Sequence, residues 1–310
     1  MKAAVLHTRD GVPRYEDFPD PVAGEGEVIV EVKAVAVENV DKAVAAGTHF
    51  AGRAMMPELP AIPCFDGIGV LPDGTVVGFG NPRPPYGALA ERTVVREGAY
   101  APIPEGLDPA AATVLASAIS GMSMKYAAGL RPGETVLIQG ATGVAGRLAV
   151  QVARLLGAGR IIATGRDDAQ LAELDVDATI NTGTADEQAY ADARADVVVD
   201  FLWGPPTEML LRSLVPTSFA FAEPTRLVQI GEVAGSAISL PAESLRTSGV
   251  EIYGAAKGLN AETMGAAYGQ VVEWAKAGKL TFALERVPLS DIEAAWRRTD
   301  LRGKRLVVQP

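Results

Sequence analysis

Residues 136–168 have the sequence VLIQGATGVAGRLAVQVARLLGAGRIIATGRDD. A short apolar segment leads through Gly140, Gly143 and Gly146 into a stretch with apolar residues at helical spacing, and a second apolar segment follows. This order predicts a strand, a helix and a second, parallel strand, joined at the first turn by glycines.

The glycine turn favours a bound dinucleotide. Backbone N–H groups at the start of a helix point toward whatever precedes it, and the helix dipole favours an anion there. Glycine permits the tight turn and lets a pyrophosphate approach the backbone closely. A plain strand-to-helix turn is the alternative, but the second strand, about twenty residues further on, favours the dinucleotide.

The end of the second strand indicates which dinucleotide binds. Proteins that bind NAD place Asp or Glu there for the ribose hydroxyls. Here the strand ends in Gly165 and Arg166. Gly165 leaves room and the Arg166 guanidinium suits a 2′-phosphate, whereas Asp167 and Asp168 are expected to cap the next helix. The prediction is NADPH, with a solvated surface role for Arg166 as the alternative.

Composition limits the other possibilities. The chain has 310 residues and a net charge of -10, which favours two domains and disfavours nucleic acid as a partner. Its single cysteine, Cys64, excludes an intrachain disulfide and a multi-cysteine zinc site. The sequence contains neither an apolar signal segment nor a run approaching the ~20 residues of a membrane span. We therefore expect a cytoplasmic protein without a membrane partner.

The hydrophobic pattern changes twice along the chain. The first third alternates in the manner of β-strands, the middle alternates strands with helices, and the tail returns through helices to a closing strand. The pattern predicts an α/β protein in which a doubly wound parallel-sheet domain is inserted into a β-rich domain. The expected bounds are 116–256 for the inserted domain, and 1–115 with 257–310 for the other.

The chain resembles the zinc-independent medium-chain dehydrogenases/reductases of the quinone oxidoreductase-like branch. The segments that carry the resemblance are KAAVLH, PCFDGIG, AGLRPGETVLIQGATGVAG, RLVQIGEVAG and LSDIEAAW. It implies a GroES-like β-rich catalytic domain with an inserted Rossmann domain. It also implies a homodimer, joined near GVEIYGA at 249–255.

The resemblance further implies that no catalytic zinc is bound. Relatives with zinc place ligands where this chain has Glu38, Phe65 and, near the third position, Leu115. Phenylalanine and leucine cannot coordinate a metal. The zinc-free branch transfers hydride from NADPH to a quinone or to the C=C bond of an α,β-unsaturated carbonyl, so the expected substrate is a small apolar or aromatic carbonyl compound or quinone.

Candidate catalytic residues come from two segments. Relatives carry Asn-x-x-Asp near the nicotinamide; here Glu38 takes the Asn position, Asn39 lies next to it and Asp41 matches. Glu38 is either a proton source or a residue that faces solvent or an arginine. His49 takes the position of a pocket tyrosine and is either a proton donor or an exposed loop histidine. An apolar substrate wall is a further hypothesis, with the residues Met55, Met56, Phe65 and Trp203.

The resemblance extends the cofactor site beyond the glycine turn. It implies contacts to the nicotinamide, pyrophosphate and ribose groups from Ser120, Thr142, Val144, Asn181, Phe201, Leu202, Ile230 and Gly231. Two alternatives to the reductase of quinones or enones stay open. One is an enoyl-thioester or polyketide tailoring reductase, and the other is an NADPH-binding protein without catalysis.

Overall fold

A computed structural model describes residues 1–216 and 223–310. The chain forms two compact units: the first contains Met1–Leu115 and Ala283–Pro310, and the second contains Ala116–Phe282. Elements are numbered through the whole chain.

The first unit is rich in β-structure. Its strands are β1 (Lys2–Val5), β2 (Arg14–Asp17), β3 (Glu27–Val37), β4 (Asp66–Val70), β5 (Val76–Gly80), β6 (Arg92–Arg96), β7 (Tyr100–Pro102), β14 (Leu284–Pro288) and β15 (Arg305–Gln309). Its helical segments are α1 (Asn39–Ala46), α2 (Gly52–Met55), the start of α3 (Pro109–Gly121), a 3-10 turn at Leu289–Asp291 and α11 (Ile292–Trp296).

Strand β3 is the centre of the first unit. It has 11 residues and pairs antiparallel with β15, β4 and β6. Its alternation places Val30 and Val32 in the core while Glu31 faces out. The resulting sheet has the order β14-β15-β3-β4-β5-β7, with β6 on β3, and β1 and β2 form a separate pair. The closing strand therefore lies directly beside the strand that leads into α1.

The second unit alternates strands and helices. Its strands are β8 (Thr135–Gln139), β9 (Arg160–Gly165), β10 (Ala178–Asn181), β11 (Val197–Asp200), β12 (Arg226–Gln229) and β13 (Glu251–Gly254). Its helices, besides the end of α3, are α4 (Ser123–Tyr126), α5 (Val144–Leu155), α6 (Asp168–Ala172), α7 (Glu187–Ala191), α8 (Gly204–Ser213), α9 (Ala242–Ser248) and α10 (Ala261–Lys276).

The six strands of this unit form one parallel sheet in the order β10-β9-β8-β11-β12-β13. Strands such as β11 are buried along their whole length, as expected when helices cover both faces of a parallel sheet. The order reverses around β8, and ligands of such sheets bind at the carboxyl ends of the strands near that point. The predicted fold class, with a doubly wound sheet inserted into a β-rich domain, is confirmed.

The observed division differs from the expected one in residues 257–282, which belong to the second unit. Gly258 lies so close to the Tyr126 carbonyl that an added Cβ would be 2.4 Å from that oxygen. Further along, Gln151 Nε2 donates to the Thr281 carbonyl oxygen at 2.8 Å, and the Thr281 N–H donates to Gln151 Oε1 at 2.7 Å. These contacts hold the segment with α10 in the second unit. Across the described residues, no helix has the length and apolar character needed to cross a membrane.

Candidate functional site

The glycine turn of the second unit joins β8 to α5. Gly140 has φ +79°, a left-handed conformation that glycine adopts without strain. Gly146 lies against the same turn, because an added Cβ would be 2.3 Å from the Gly140 carbonyl oxygen. Gly140 and Gly146 are therefore required by local geometry, independently of any ligand.

Gly143 has a different role from the other two glycines. It is the N-cap of α5 with φ -74°, which any residue adopts, and it is exposed. An added Cβ there would meet only the Gly140 carbonyl oxygen, at 3.7 Å. Open space thus lies in front of the α5 N-terminus, whose first residue is Val144. A pyrophosphate group suits this cradle, because its charge would face free N–H groups.

Arg166 is exposed directly after β9. Asp167 is the N-cap of α6, and its side chain accepts from the Ala169 and Gln170 N–H groups. The prediction that this acidic pair caps the next helix is thus confirmed for Asp167. Arg166 is then the charged residue that remains at the end of β9. An added Cβ on Gly165 would be 2.7 Å from Thr142 Cγ2, so glycine allows the two turns to approach.

Asn181 ends β10 in register with Gly165. Its Nδ2 donates to Asp168 Oδ1 at 2.7 Å, and its Oδ1 accepts from the Gly183 N–H at 2.9 Å. The side chain is thereby fixed at the carboxyl edge of the sheet, next to the segment that carries Arg166. Thr142, Asn181 and Arg166 thus border one edge of the second unit.

The turns after β11 and β12 meet the glycine turn at the same edge. Leu202 packs on Gly140, where an added Cβ would be 2.9 Å from Leu202 Cδ2. Gly231 lies against Phe201, where an added Cβ would be 2.6 Å from the Phe201 carbonyl oxygen. The Ile230 N–H donates to the Asp200 carbonyl oxygen at 2.9 Å. Phe201, Leu202, Ile230 and Gly231 therefore lie close together, and their part in a cofactor site stays a prediction.

Ser120 lies near the end of α3 and is half-buried. Its Oγ donates to the Ser117 carbonyl oxygen at 2.6 Å. This bond within the helix leaves the Oγ free to accept, so the predicted contact of Ser120 with the nicotinamide stays a prediction.

The candidate catalytic segment of the first unit begins at the N-terminus of α1. Glu38 and Asp41 form a capping box, and Asp41 Oδ2 accepts from the Glu38 N–H at 2.8 Å. Glu38 Oε1 also lies 2.8 Å from Arg305 Nη2 of β15. Of the two possibilities for Glu38, contact with an arginine is the one observed, and the ion pair favours a positioning role over proton donation. Asn39 is exposed at the first position of α1.

Two further carboxyl groups, those of Asp41 and Asp66, lie close enough to Glu38 to interact with its charge. Burial raises the pKa of Asp41 well above its usual range, and the negative charges of Asp66 and Glu38 add to the effect. Burial and the Glu38 carboxylate raise the pKa of Asp66 to about 6, while the Arg305 guanidinium opposes the shift. The buried thiol of Cys64, beside Asp41, has its pKa raised mainly by burial. The first unit thus contains two carboxyl groups whose pKa values are raised by burial and by neighbouring negative charge.

His49 lies in the loop between α1 and α2 and is half-buried. Its Nδ1 accepts from the Ala51 N–H at 3.3 Å. The neutral ring therefore carries its proton on Nε2, which becomes a hydrogen-bond donor. Its ring packs on Phe50 with 4.4 Å between centroids.

No family model matches the chain. The quinone oxidoreductase of Thermus thermophilus, for which crystal structures of the enzyme and of its complex with NADPH are known, is 30% identical to this chain. The match covers the whole of both chains, with a TM-score of 0.76. The chain belongs to the quinone oxidoreductase-like medium-chain dehydrogenases/reductases. It is also 26% identical, over the full length of both, to the probable NADPH-dependent quinone reductase tdiC of Emericella nidulans. Acryloyl-coenzyme A reductase of Sulfurisphaera tokodaii is 27% identical over 77% of this chain and 79% of that protein.

Within this quinone oxidoreductase-like reductase, the zinc positions hold other residues. In residues 1–216 and 223–310, no group of three or more His, Cys, Asp or Glu side chains is arranged to hold a metal ion. Glu38 instead takes part in the capping box of α1 and forms an ion pair with Arg305. The observed arrangement supports an ion-pair network at this place in the fold.

The predicted apolar wall is divided between the two units. Met55, Met56 and Phe65 line a cavity of about 20 Å³ in the first unit, where Met56 is part of the core. This volume holds about one water molecule and no aromatic ring. Trp203 packs on a core cluster of the second unit. Neither unit by itself contains all four residues, and the apolar wall stays a hypothesis.

Sequence reasoning missed Asp200, which ends β11 fully buried. Its carboxylate accepts from the Leu202 and Trp203 N–H groups at 2.8 and 3.0 Å and from Thr207 Oγ1 at 2.5 Å. Burial raises the pKa of Asp200, and these bonds oppose the shift. Asp200 thereby shapes the turn that carries Phe201 and Leu202. The pattern VVVD, a charged residue closing an apolar strand, is the signal that could have identified it.

Proposed function

We propose that this chain is an NADPH-dependent oxidoreductase that transfers hydride, without zinc, to a quinone or to the C=C bond of an α,β-unsaturated carbonyl. The observation that carries the proposal is the edge of the second unit, where an open glycine cradle at the α5 N-terminus is bordered by the exposed Arg166. Thermus thermophilus quinone oxidoreductase, 30% identical and solved with NADPH, supports the same assignment.

The cofactor residues follow from this edge. Gly140, Gly143, Val144 and Gly146 hold the pyrophosphate at the helix N-terminus. Arg166 binds the 2′-phosphate, with Gly165, Thr142 and Asn181 beside it. Phe201, Leu202, Ile230, Gly231 and Ser120 face the nicotinamide half.

NADPH supplies the hydride, and the protein must then stabilise the oxyanion or enolate that forms and deliver a proton. His49 is our candidate for the donor, because its Nδ1 is held by the Ala51 N–H and Nε2 carries the proton. Glu38 holds Arg305 in place, and Asn39 is available at the exposed start of α1. No metal is assigned a role.

The decisive experiment is a titration of the protein with NADPH and NADH, followed by a panel of quinones and enones in the same cuvette. We expect tight NADPH binding, weaker NADH binding, and oxidation of NADPH by at least one acceptor. Binding of NADPH without turnover of any acceptor would favour the non-catalytic alternative. Equal affinity for both dinucleotides would contradict the role of Arg166.

Compartment and assembly are part of the proposal. We place the protein in the cytoplasm, since its single cysteine is a free, buried thiol. We propose a homodimer that pairs along β13, because that strand lies at the edge of the six-stranded sheet formed by the described residues. Sedimentation analysis of the wild type and of Ile252→Lys tests the assembly, with the variant expected to be monomeric.

A further inference from the structure

Trp203 has a backbone conformation that only glycine adopts without strain. Its φ is 55° and its ψ is -164°, a region that contacts of the Cβ atom close to bulky residues. Trp203 is also the N-cap of α8, where a side-chain oxygen usually accepts from the first N–H groups, and an indole has no oxygen. A residue that breaks two local rules persists where the surrounding structure holds it, and such positions concentrate at functional sites.

The buried carboxyl group of Asp200 holds this conformation. Its Oδ1 accepts from the Leu202 N–H at 2.8 Å and from the Trp203 N–H at 3.0 Å, so both peptide groups must face one oxygen. Thr207 Oγ1 donates to Asp200 Oδ2 at 2.5 Å, and Gln139 Nε2 donates to Thr207 Oγ1 at 3.3 Å. Because both carboxyl oxygens are bound, the turn that follows Asp200 is fixed.

The indole of Trp203 is a second anchor for the turn. It is half-buried and packs on the core cluster of the second unit that contains Tyr190 and Leu210. Glycine would fit the backbone at this position without strain, but it would not make that contact. Tryptophan therefore fixes the turn even though its own backbone is strained.

The fixed turn lies against the glycine turn after β8. Leu202, directly before Trp203, packs on Gly140, where an added Cβ would be 2.9 Å from Leu202 Cδ2. The Ala234 N–H donates to the Leu202 carbonyl oxygen at 2.8 Å. Gly204, directly after Trp203, lies against the Ala234 carbonyl oxygen, 2.6 Å from an added Cβ. Another conformation at Trp203 would displace both neighbours, so this residue holds the turns after β8, β11 and β12 together.

We infer that Trp203 is a positioning residue for the nicotinamide half of NADPH: its strained backbone and anchored indole fix Leu202 beside the glycine turn before the cofactor binds. This inference rests on the proposed cofactor site, in which Leu202 faces the nicotinamide half and Arg166 binds the 2′-phosphate. A turn that is already ordered loses less conformational entropy when the ligand binds, and affinity rises accordingly. Adenosine 2′,5′-bisphosphate lacks the nicotinamide half, so its binding should not depend on Trp203.

The first experiment is calorimetric titration of the wild type and of Trp203→Ala with NADPH and with adenosine 2′,5′-bisphosphate. We expect Trp203→Ala to raise the Kd for NADPH about tenfold, as for ordering one or two more side chains on binding, and to leave the Kd for the bisphosphate unchanged. Trp203→Phe keeps an aromatic anchor and should restore most of the affinity. Trp274→Ala removes a half-buried tryptophan from α10 of the same unit and is the matched control, for which both constants should stay unchanged.

A comparison of glycine with alanine tests the strain itself. Trp203→Gly and Trp203→Ala both remove the indole, but only glycine adopts the observed φ without strain. Trp203→Gly should therefore unfold at the higher urea concentration. At position 274, inside a helix, the order should be reversed, because glycine destabilises helices relative to alanine. Greater stability of the alanine variant at both positions would overturn the inference.

The two ligands distinguish failure of this inference from failure of the proposed function. In Trp203→Ala, a Kd that rises equally for both ligands, or for neither, overturns the positioning role, while tight NADPH binding by the wild type still supports the proposed function. If the wild type binds neither ligand, the proposed cofactor site fails and the inference fails with it. Should Trp203→Ala not fold, Trp203→Gly takes its place in the titrations with the same expected result, because it also lacks the anchor.

Discussion

Glu38 and Arg305 form an ion pair with 2.8 Å between Oε1 and Nη2, and their side chains are only 28% and 11% exposed. Glu38 precedes α1 and Arg305 begins β15, so the pair joins the candidate catalytic segment to the closing strand. Arg305 also lowers the cost of the negative charge on Asp66. The ion pair therefore links the start of α1 to the closing strand of the first unit.

Replacement of Arg305 by Met should destabilise the protein by about 2 kcal/mol, because partly buried carboxylates lose their cation. The free energy of unfolding in urea measures the effect. Arg286→Met is the control, since Arg286 pairs with Asp108 at an exposed position where the loss should be much smaller. Similar losses in the two variants would contradict a special contribution from Arg305.

Asp66→Asn should change the pH dependence of stability. The pKa of Asp66 is about 6 in the folded protein, against 3.8 for an unperturbed aspartate, so between these values the folded state binds more protons. Wild-type stability from this group is therefore present below about pH 4 and lost as pH rises to about 6. The variant should be more stable at pH 7.5, by on the order of 2 kcal/mol, and the two stability curves should converge toward pH 4. Parallel curves would contradict the raised pKa.

Substitutions at two glycines separate local geometry from cofactor binding. Gly146→Ala should destabilise the second unit by about 2 kcal/mol or more, because its Cβ would be 2.3 Å from the Gly140 carbonyl oxygen. Gly143→Ala should cost about 1 kcal/mol or less but weaken NADPH binding about tenfold by filling the cradle. Fluorescence titration measures the affinity. Unchanged affinity in Gly143→Ala would place the pyrophosphate elsewhere.

Arg166→Ala should raise the Kd for NADPH at least about tenfold and leave that for NADH nearly unchanged, because only NADPH carries the 2′-phosphate. Arg246→Ala, at an exposed position of α9, is the control. Isothermal titration with each dinucleotide measures both constants. Equal weakening for NADPH and NADH would remove Arg166 from the 2′-phosphate site.

His49→Phe should lower kcat by about a hundredfold if Nε2 donates the proton, with a smaller effect on KM. The pH–rate profile of the variant should lack one ionisation that the wild-type profile shows. His7→Phe is the control, because His7 lies after β1 and its Nε2 contacts Glu16 of β2, away from the α1–α2 loop. An identical profile in His49→Phe and wild type would exclude His49 from proton transfer.

Much of the fold could be predicted because its signals are local. The spacing of Gly140, Gly143 and Gly146 after an apolar strand predicts the turn that is observed. The domain boundary could not be predicted in the same way. It depends on Gly258 packing against Tyr126 and on Gln151 binding Thr281, contacts between residues far apart in the chain.

The residues of the candidate site likewise fall into those that local sequence predicts and those whose state depends on distant contacts. By itself the sequence determined the strand-turn-helix-strand unit and the order of its glycines, strand ends and Arg166, from which the cofactor site is predicted. Only the tertiary structure decided that Glu38 pairs with Arg305 and that the pKa of Asp66 is raised. Charge, burial and desolvation depend on which distant segments pack together, and no spacing along the chain encodes that arrangement.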